Sequence, residues 1–369
     1  VKITDVKVWV CTREVPPMAH KDHIGSEPWD IVLIRVFTDE GIEGNAFGYG
    51  IRSGEVTARI TVDLLKPALV GEDPLDREKI WQKIRTLDRW LALFPIYAQG
   101  PIDVALWDIA AKKAGMPLYK LIGGYRDSVR AYATAAWAIP DIDAYKQQAD
   151  EVLSLGFTAY KMTAWGDPSY DIKLMREMRR HVGDDIDLML DCVSAYDHRT
   201  ALKVGRVAEE LDFYWFEEPL WDHDIHGLVK LCSALDIPVV STETLPGANY
   251  TIAEYIIRGA ADIVRSDVMW KGGVTSTQKT IHLADCFGMN CEVHTSQYSL
   301  TDVANLHLVC SAKNCDFYEL LFPLEFYSDY GVVNPVRVAS DGTVSAPQTP
   351  GLGLEIDWEL LERTRVLEL

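Results

Sequence analysis

The sequence predicts an α/β fold: a barrel of eight parallel strands with crossover helices, preceded by a smaller α+β unit. Three observations carry this. From about residue 130 onward, short apolar runs alternate with amphipathic segments, eight runs in all. The polar residues that close the last six runs (191, 217, 243, 267, 294, 319) lie 24 to 27 residues apart, one strand and one helix per step. The first 50 residues instead show period-two patterning broken by turns, as in an antiparallel meander.

Taken in order, "VKITDVKVWV" (1–10) alternates like an edge strand, and "DIVLIRVFTDEGIEGNAFGYG" (30–50) reads as two strands joined at "TDEG". Residues 54–122 change to helical spacing. In "GPIDVALWDIAAKKAGMPL" Pro101 suits a first helical turn, Gly115 a stop, and Pro117 lies beyond. The eight runs that follow are "AYATAAW" (ending at 137), "FTAYKMT" (163), "IDLMLD" (191), "FYWFE" (217), "IPVVSTE" (243), "ADIVRSD" (267), "MNCEVH" (294) and "DFYE" (319), with amphipathic segments such as "YDIKLMREMRRHVG" and "RTALKVGRVAEEL" between them. Parallel strands need crossovers, and eight of them close most naturally on themselves. The stretch after residue 330, "NPVRVASDGTVSAPQTPGLGLEID", is loop-rich and is expected to return to the N-terminal unit. The division that follows is an α+β capping domain over 1–125, completed by about 335–369, and a barrel over 126–334.

Composition narrows the partners. A net charge of −19, spread along the chain, lacks the basic footprint that nucleic acid or an anionic membrane surface requires. No apolar run reaches the ~18 residues that span a bilayer. Seven cysteines (11, 192, 232, 286, 291, 310, 315) lack CxxC pairing and are odd in number, which reads as reduced thiols in a cytoplasmic protein.

Chemistry is expected where barrel strands end, because all their C-terminal ends open on one mouth. Asp191, Glu217 and Glu243 would converge there, and three neighbouring carboxylates repel one another unless a cation sits among them. Hard oxygen ligands suit Mg²⁺. In "FYWFEEPLW" successive strand residues point to opposite sides, so Glu217 and Glu218 cannot share a job. Asp267 and His294 end consecutive strands, so the acid could hold one ring nitrogen and leave the other to take a proton. Glu319, if protonated amid that charge, could donate to a developing oxyanion.

These residues resemble the enolase superfamily, and within it the mandelate racemase subgroup, over nearly the whole chain. "ALWDIAAKKAGMPLYKLIGG" is similar to that family's linker into the barrel, "GFTAYKMT" to its Lys-x-Lys strand, "FEEPL" to its Glu-Glu/Gln-Pro strand, and "SDVMWKGGVTSTQK" to its Asp-then-Gly-Gly turn. The resemblance implies a modified, (β/α)7β-like TIM-type barrel and assigns Glu217 as the ligand, with Glu218 on the strand's other side. It implies an enediolate, stabilised by Mg²⁺, made by removing the proton α to a carboxylate. Lys161, as the family's first lysine, would neutralise the substrate carboxylate.

One departure bears on the reaction. Where the family pattern has a second lysine this chain has Thr163, and a threonine hydroxyl cannot remove a carbon acid's proton. A racemase needs a base on each face of its substrate, and His294 is the one evident base. The expected function is therefore β-elimination from an aldonic or aldaric acid, a hydro-lyase giving a 2-keto-3-deoxy acid. Two alternatives stand beside it: a racemase, epimerase or cycloisomerase that uses Lys161 as second acid or base, and a barrel that binds a sugar acid without catalysis.

Substrate choice is expected from the capping loops. "PPMAHKDHIGSEPW" carries His20, Lys21, His23 and Trp29, and "GYGIRSGE" carries Arg52, groups suited with Thr163 to a polyhydroxy acid. Trp137, Trp165, Trp221 and Trp270 follow barrel strands and are candidate pocket walls. The resemblance also implies a homo-oligomer, octamers being common in the family, with Trp81 and Trp90 as exposed aromatics to build it.

Overall fold

The N-terminal sheet is covered on both faces at its centre, where residues 8–11, 31–34 and 44–48 are buried in unbroken runs. In the computed structural model, which describes residues 1–20, 23–25, 28–92 and 94–369 (the side chains of 18–20, 23–25, 91 and 92 excepted), the elements here are β1 (Ile3–Arg13), β2 (Met18–His20), β3 (His23–Gly25), β4 (Trp29–Thr38) and β5 (Glu43–Ile51). β1, β4 and β5 form the expected meander, turning at Gly41, whose φ of 76° needs glycine. β1 is not an edge. A C-terminal strand pairs antiparallel with its residues 9–11 and covers it, a non-local pairing that alternation alone cannot reveal.

The barrel strands are β6 (Ser128–Ala135), β7 (Ala159–Thr163), β8 (Asp187–Asp191), β9 (Trp215–Glu217), β10 (Val239–Ser241), β11 (Ile263–Ser266), β12 (Cys291–Val293) and β13 (Phe317–Phe322). They run parallel in the order β12-β11-β10-β9-β8-β7-β6-β13. Cys291 N–H donating to the Asn314 carbonyl at 2.8 Å and Thr295 N–H donating to Glu319 at 3.1 Å stitch the remaining seam between β12 and β13. Helices Ile142–Ser154, Pro168–Val182, His198–Glu210, Ile225–Ala234, Ala248–Arg258, Val274–Cys286 and Ser299–Ser311 fill the seven crossovers, so the barrel is of the (β/α)7β kind. Four of them start on an aspartate whose carboxylate accepts first-turn N–H groups: Asp141, Asp167, Asp197 and Asp224.

The barrel interior is built in layers, as the pleat requires. Tyr132, Ala159, Met189, Trp215, Val240, Ile263 and Phe317 pack as an apolar floor. One step up each strand the inward positions turn polar: Thr134, Lys161, Glu217, Arg265 and Glu319, all buried. Asp191 is level with Glu217 in register, and Thr163, Glu243, Asp267 and His294 lie at the ends of their strands or just past them.

The linker helix Gly100–Ala114 carries Pro101 in its first turn and stops at Gly115 in the left-handed region, as its sequence predicts. It presses directly on the loop after β11. A Cβ added at Gly100 would lie 2.2 Å from the Val268 carbonyl oxygen, and one at Gly273 (φ 98°) 2.3 Å from Asp103 Cβ. Asp103 accepts from both the N–H and the hydroxyl of Thr275, at 2.8 and 2.7 Å, so the loop carrying Asp267 and Trp270 is bolted to the linker. Trp81, expected at the surface, is buried and donates to the Gly272 carbonyl at the same junction, while Trp90 is exposed.

The C-terminal stretch divides its contacts. β14 (Thr343–Ser345), expected with the N-terminal unit, pairs antiparallel with β6 of the barrel instead, and β15 (Arg365–Glu368) is the strand that covers β1. All seven cysteines are unpaired, and among the described residues no helix is long and apolar enough to cross a membrane.

Candidate active site

Where the barrel strands end, a cavity of about 300 Å³ opens beneath the N-terminal sheet, with Tyr49 and Ile51 of β5 contributing to its wall. Asp191, Glu217 and Glu243 each offer a carboxylate oxygen, and these three oxygens lie within 4.8 Å of one another. Asp191 and Glu217 are register partners on β8 and β9; Glu243 follows β10. Asp191 spends Oδ1 on the N–H of Val193 at 2.9 Å, and Glu243 Oε2 is buried with no hydrogen-bond partner. Burial and then Glu217 raise the Asp191 carboxyl to about 7, and burial also raises Glu243. An all-oxygen donor set of three mutually repelling carboxylates fits a hard divalent cation.

Opposite the triad stands the imidazole. His294 Nδ1 lies 2.6 Å from Asp267 Oδ2, and Nε2 lies 3.3 Å from Glu243 Oε1. Asp267 is itself held by the Ser296 hydroxyl at 2.8 Å and by the N–H of Trp270. Burial works against a charge on His294, but Glu243 and the Asp267 bond outweigh it and raise the ring to about 9. A cation among the carboxylates would offset the attraction of Glu243.

Beneath both groups runs a buried charge network. Lys161 Nζ is 3.0 Å from Glu217 Oε1, 2.9 Å from Glu319 Oε1 and 3.7 Å from Asp191 Oδ2. Arg265, which the sequence reading passed over, reaches Glu217 at 3.1 Å, Glu243 at 3.3 Å, Glu319 at 2.7 Å and the Tyr132 hydroxyl at 3.1 Å. Its signal was present: Arg265 precedes Asp267 by two residues and so shares its inward face. Five carboxylates (Asp191, Glu217, Glu243, Asp267, Glu319) face two permanent cations, Lys161 and Arg265, which leaves three negative charges, of which a divalent ion would balance two.

The network revises two expectations. Glu319 sits inside β13 opposite Tyr132, a layer below the mouth. Although burial opposes its charge, Lys161 and Arg265 hold its carboxyl well below the usual range, and Thr134 and the Thr295 N–H donate to it. It is an ionised acceptor in this arrangement and not a protonated donor. Lys161 lines the cavity while bound to two carboxylates, and Thr163 lines it with its hydroxyl donated to the Ala135 carbonyl at 2.7 Å.

Glu218 leaves the strand at φ 44°, and its carboxyl accepts the N–H of Glu243 at 3.0 Å, bracing the third acid from the neighbouring strand. Among the described residues, five that line the cavity and are not glycine occupy the left-handed region: Ile51, Val193, Ser194, Glu218 and Gln297. Such strain persists where the surroundings over-determine the backbone, and it clusters at working sites.

Trp137 and Trp270 wall the cavity as expected, but Trp165 and Trp221 do not, Trp221 being exposed. Trp29 is not at the substrate position. It is buried behind the wall, its ring edge-on to Trp137 at 5.8 Å, because β4 turns it into the core with Val15, Leu321 and Tyr327. Arg52 is exposed beside Ile51 and is not among the lining residues. Lys21 lies outside the described residues, as do the side chains of His20 and His23. Tyr49, Ile51 and Gln297 line the cavity without having been singled out from the sequence.

Fold and site together define a capped (β/α) barrel that sets a carboxylate triad against an oriented histidine at the C-terminal ends of its strands. Such an arrangement has a known family. The chain belongs to the mandelate racemase/muconate lactonizing enzyme family: residues 7–123 match the model of its N-terminal domain and residues 144–360 that of the enolase C-terminal domain-like barrel. It is 30% identical to arabinonate dehydratase of Saccharolobus solfataricus over 90% of both chains. It is 29% identical to an N-succinyl-L-Arg/Lys racemase of Bacillus cereus, over 91% of this chain and 90% of that one. Among solved structures, D-glucarate dehydratase from Agrobacterium tumefaciens, complexed with magnesium, superposes with a TM-score of 0.89 at 34% identity, covering 99% of each chain.

Proposed function

We propose that the protein is a Mg²⁺-dependent acid-sugar dehydratase, acting on an aldonic or aldaric acid to give a 2-keto-3-deoxy acid. Asp191, Glu217 and Glu243 hold the metal. When bound it supplies positive charge next to the substrate carboxylate, which makes the α proton more acidic. His294 Nε2, the ring nitrogen turned away from Asp267, takes that proton. The electrons of the broken C2–H bond pass into the carboxylate and return to form the C2–C3 double bond as the C3–O bond breaks. The same imidazolium returns its proton to the departing hydroxide, which leaves as water, and the enol tautomerises to the 2-keto acid. Lys161, Arg265 and Glu319 form the charged floor that keeps Glu217 in place.

One observation carries the choice of elimination over racemisation. Among the described cavity residues, His294 is an oriented imidazole with a ring nitrogen toward the site, whereas Lys161 is locked between Glu217 and Glu319 and Thr163 is tied to backbone. One base is enough for an elimination; a racemase needs two. The dehydratases among the relatives support the same reading, and the racemase among them keeps the alternative in view. The homo-oligomer and cytoplasmic setting implied by the sequence belong to this proposal, supported by an exposed Trp90 and seven unpaired thiols.

The test is incubation with a panel of five- and six-carbon aldonic and aldaric acids in Mg²⁺, with semicarbazide detection of the keto product. Turnover of at least one acid is expected. Deuterium wash-in at the α carbon without loss of water, across the whole panel, would overturn dehydration in favour of racemisation.

A further inference from the structure

We propose that Gln297 is a substrate-recognition residue, its side-chain amide reading a hydroxyl on a carbon beyond the reacting pair, and that Arg13 of the N-terminal sheet positions it. This rests on the dehydratase reading of the cavity.

The first argument compares Gln297 with the serine and threonine hydroxyls around it. Among the described residues, the serine and threonine hydroxyls lining the cavity are all committed within the protein: Thr134 to Glu319, Thr163 to the Ala135 carbonyl, Ser194 to the Leu220 carbonyl, Thr244 to Asp222, and Ser296 to Asp267. Gln297 differs. It lines the same cavity, and its amide oxygen is buried with no hydrogen-bond partner. A buried acceptor left unmet is costly, and a site that keeps one has use for a donor that comes and goes.

The second argument is how firmly the residue is held. Gln297 lies three positions after His294 with φ at 71°, a conformation glutamine seldom adopts. Asp302 clamps both neighbours, accepting the N–H of Ser296 and that of Tyr298 at 2.7 Å each. The Gln297 carbonyl accepts from Arg13 Nη2 at 3.0 Å, and Arg13 Nη1 donates to the Phe326 carbonyl at 2.6 Å. Arg13 is 4% exposed, with the rings of Trp29, Tyr298 and Tyr330 around its guanidinium. A backbone strained and pinned on three sides, under an amide with an unused acceptor, is the arrangement of a preorganised contact.

The experiment compares wild type and Gln297→Leu on an acid that the wild type dehydrates and on its analogues lacking the hydroxyl at C4, C5 or C6. Gln297→Leu is expected to lose about 10- to 100-fold in kcat/KM on the parent acid and less than about 2-fold on one deoxy analogue. Gln297→Asn, whose side chain tolerates the left-handed region, carries the same comparison if Gln297→Leu does not fold. Arg13→Lys, which cannot fork to two carbonyls, is expected to raise KM with kcat retained and to blur the same discrimination. An equal loss on every substrate, or none, overturns the proposal. Absence of wild-type turnover on any acid sugar would instead sink the dehydratase reading beneath it.

Discussion

Asp267 Oδ2 accepts from two sides at once, from His294 Nδ1 at 2.6 Å and from the Ser296 hydroxyl at 2.8 Å, so the acid sets both the tautomer and the tilt of the imidazole. Nε2 is thereby presented to the cavity. Asp267→Asn should preserve the fold yet let the ring take the wrong tautomer, lowering kcat by roughly 10²- to 10⁴-fold. His294→Asn should abolish turnover and leave Mg²⁺ binding intact. Steady-state kinetics with calorimetric titration of Mg²⁺ checks both, and an active His294→Asn would remove the residue from the mechanism.

The metal triad gives a prediction independent of substrate. Cation binding relieves the repulsion among Asp191, Glu217 and Glu243 in the folded state alone, so Mg²⁺ at a hundred times Kd should stabilise the fold by about 2.7 kcal/mol and raise the melting temperature with it. Chelation should remove both this increment and turnover. Glu243→Gln, which keeps the shape and deletes a charge, should lose most of the increment. A thermal-shift titration with and without chelator decides it, and an unresponsive wild type would refute the assignment.

Arg265 is predicted to be the costliest of the buried cations to delete. Arg265→Met removes the guanidinium that Glu217, Glu243 and Glu319 share, and breaking a buried charge network in this one-sided way costs about 3–5 kcal/mol. Arg265→Lys keeps the charge but cannot span Glu243, Glu319 and the Tyr132 hydroxyl together, so its loss should be smaller. Denaturant unfolding of the two variants, both saturated with Mg²⁺, gives the comparison. Equal stability of Arg265→Met and wild type would show the network to be dispensable.

The chain reveals its barrel more readily than its lid, for physical reasons. Buried parallel strands are short apolar runs at a regular spacing, and an acid closing each run is conspicuous because burial penalises it. Asp191, Glu217, Glu243, Asp267 and His294 were legible in that way. Arg265 was not, since it interrupts "ADIVRSD" inside a run read as apolar, and reading the pleat one residue pair further back would have exposed it. Trp29 misled because an aromatic at a loop's end looks the same whether it meets a ligand or the core. The pairing of β15 with β1 and of β14 with β6 joins residues hundreds of positions apart. Local patterning holds no record of such contacts, nor of the capture of Gln297 by Arg13.

A last prediction concerns the joint between linker and barrel. His307 is fully buried, accepting the Tyr119 N–H at Nδ1 (3.2 Å) and donating from Nε2 to the Leu352 carbonyl (3.0 Å), which requires the neutral ring. Burial lowers its pKa from 6.5 to about 4. The folded state therefore binds this proton less readily than the unfolded state. The sign follows: the stabilising contribution is complete above pH 6.5, declines as the unfolded histidine protonates, and is gone below pH 4, an interval worth about 3 kcal/mol. His307→Gln can accept from Tyr119 and donate to Leu352 without titrating. Its stability should fall less steeply than that of wild type between pH 6.5 and 4, measured by denaturant unfolding at each pH. Parallel acid limbs for the two proteins would show that protonation of His307 does not govern the loss.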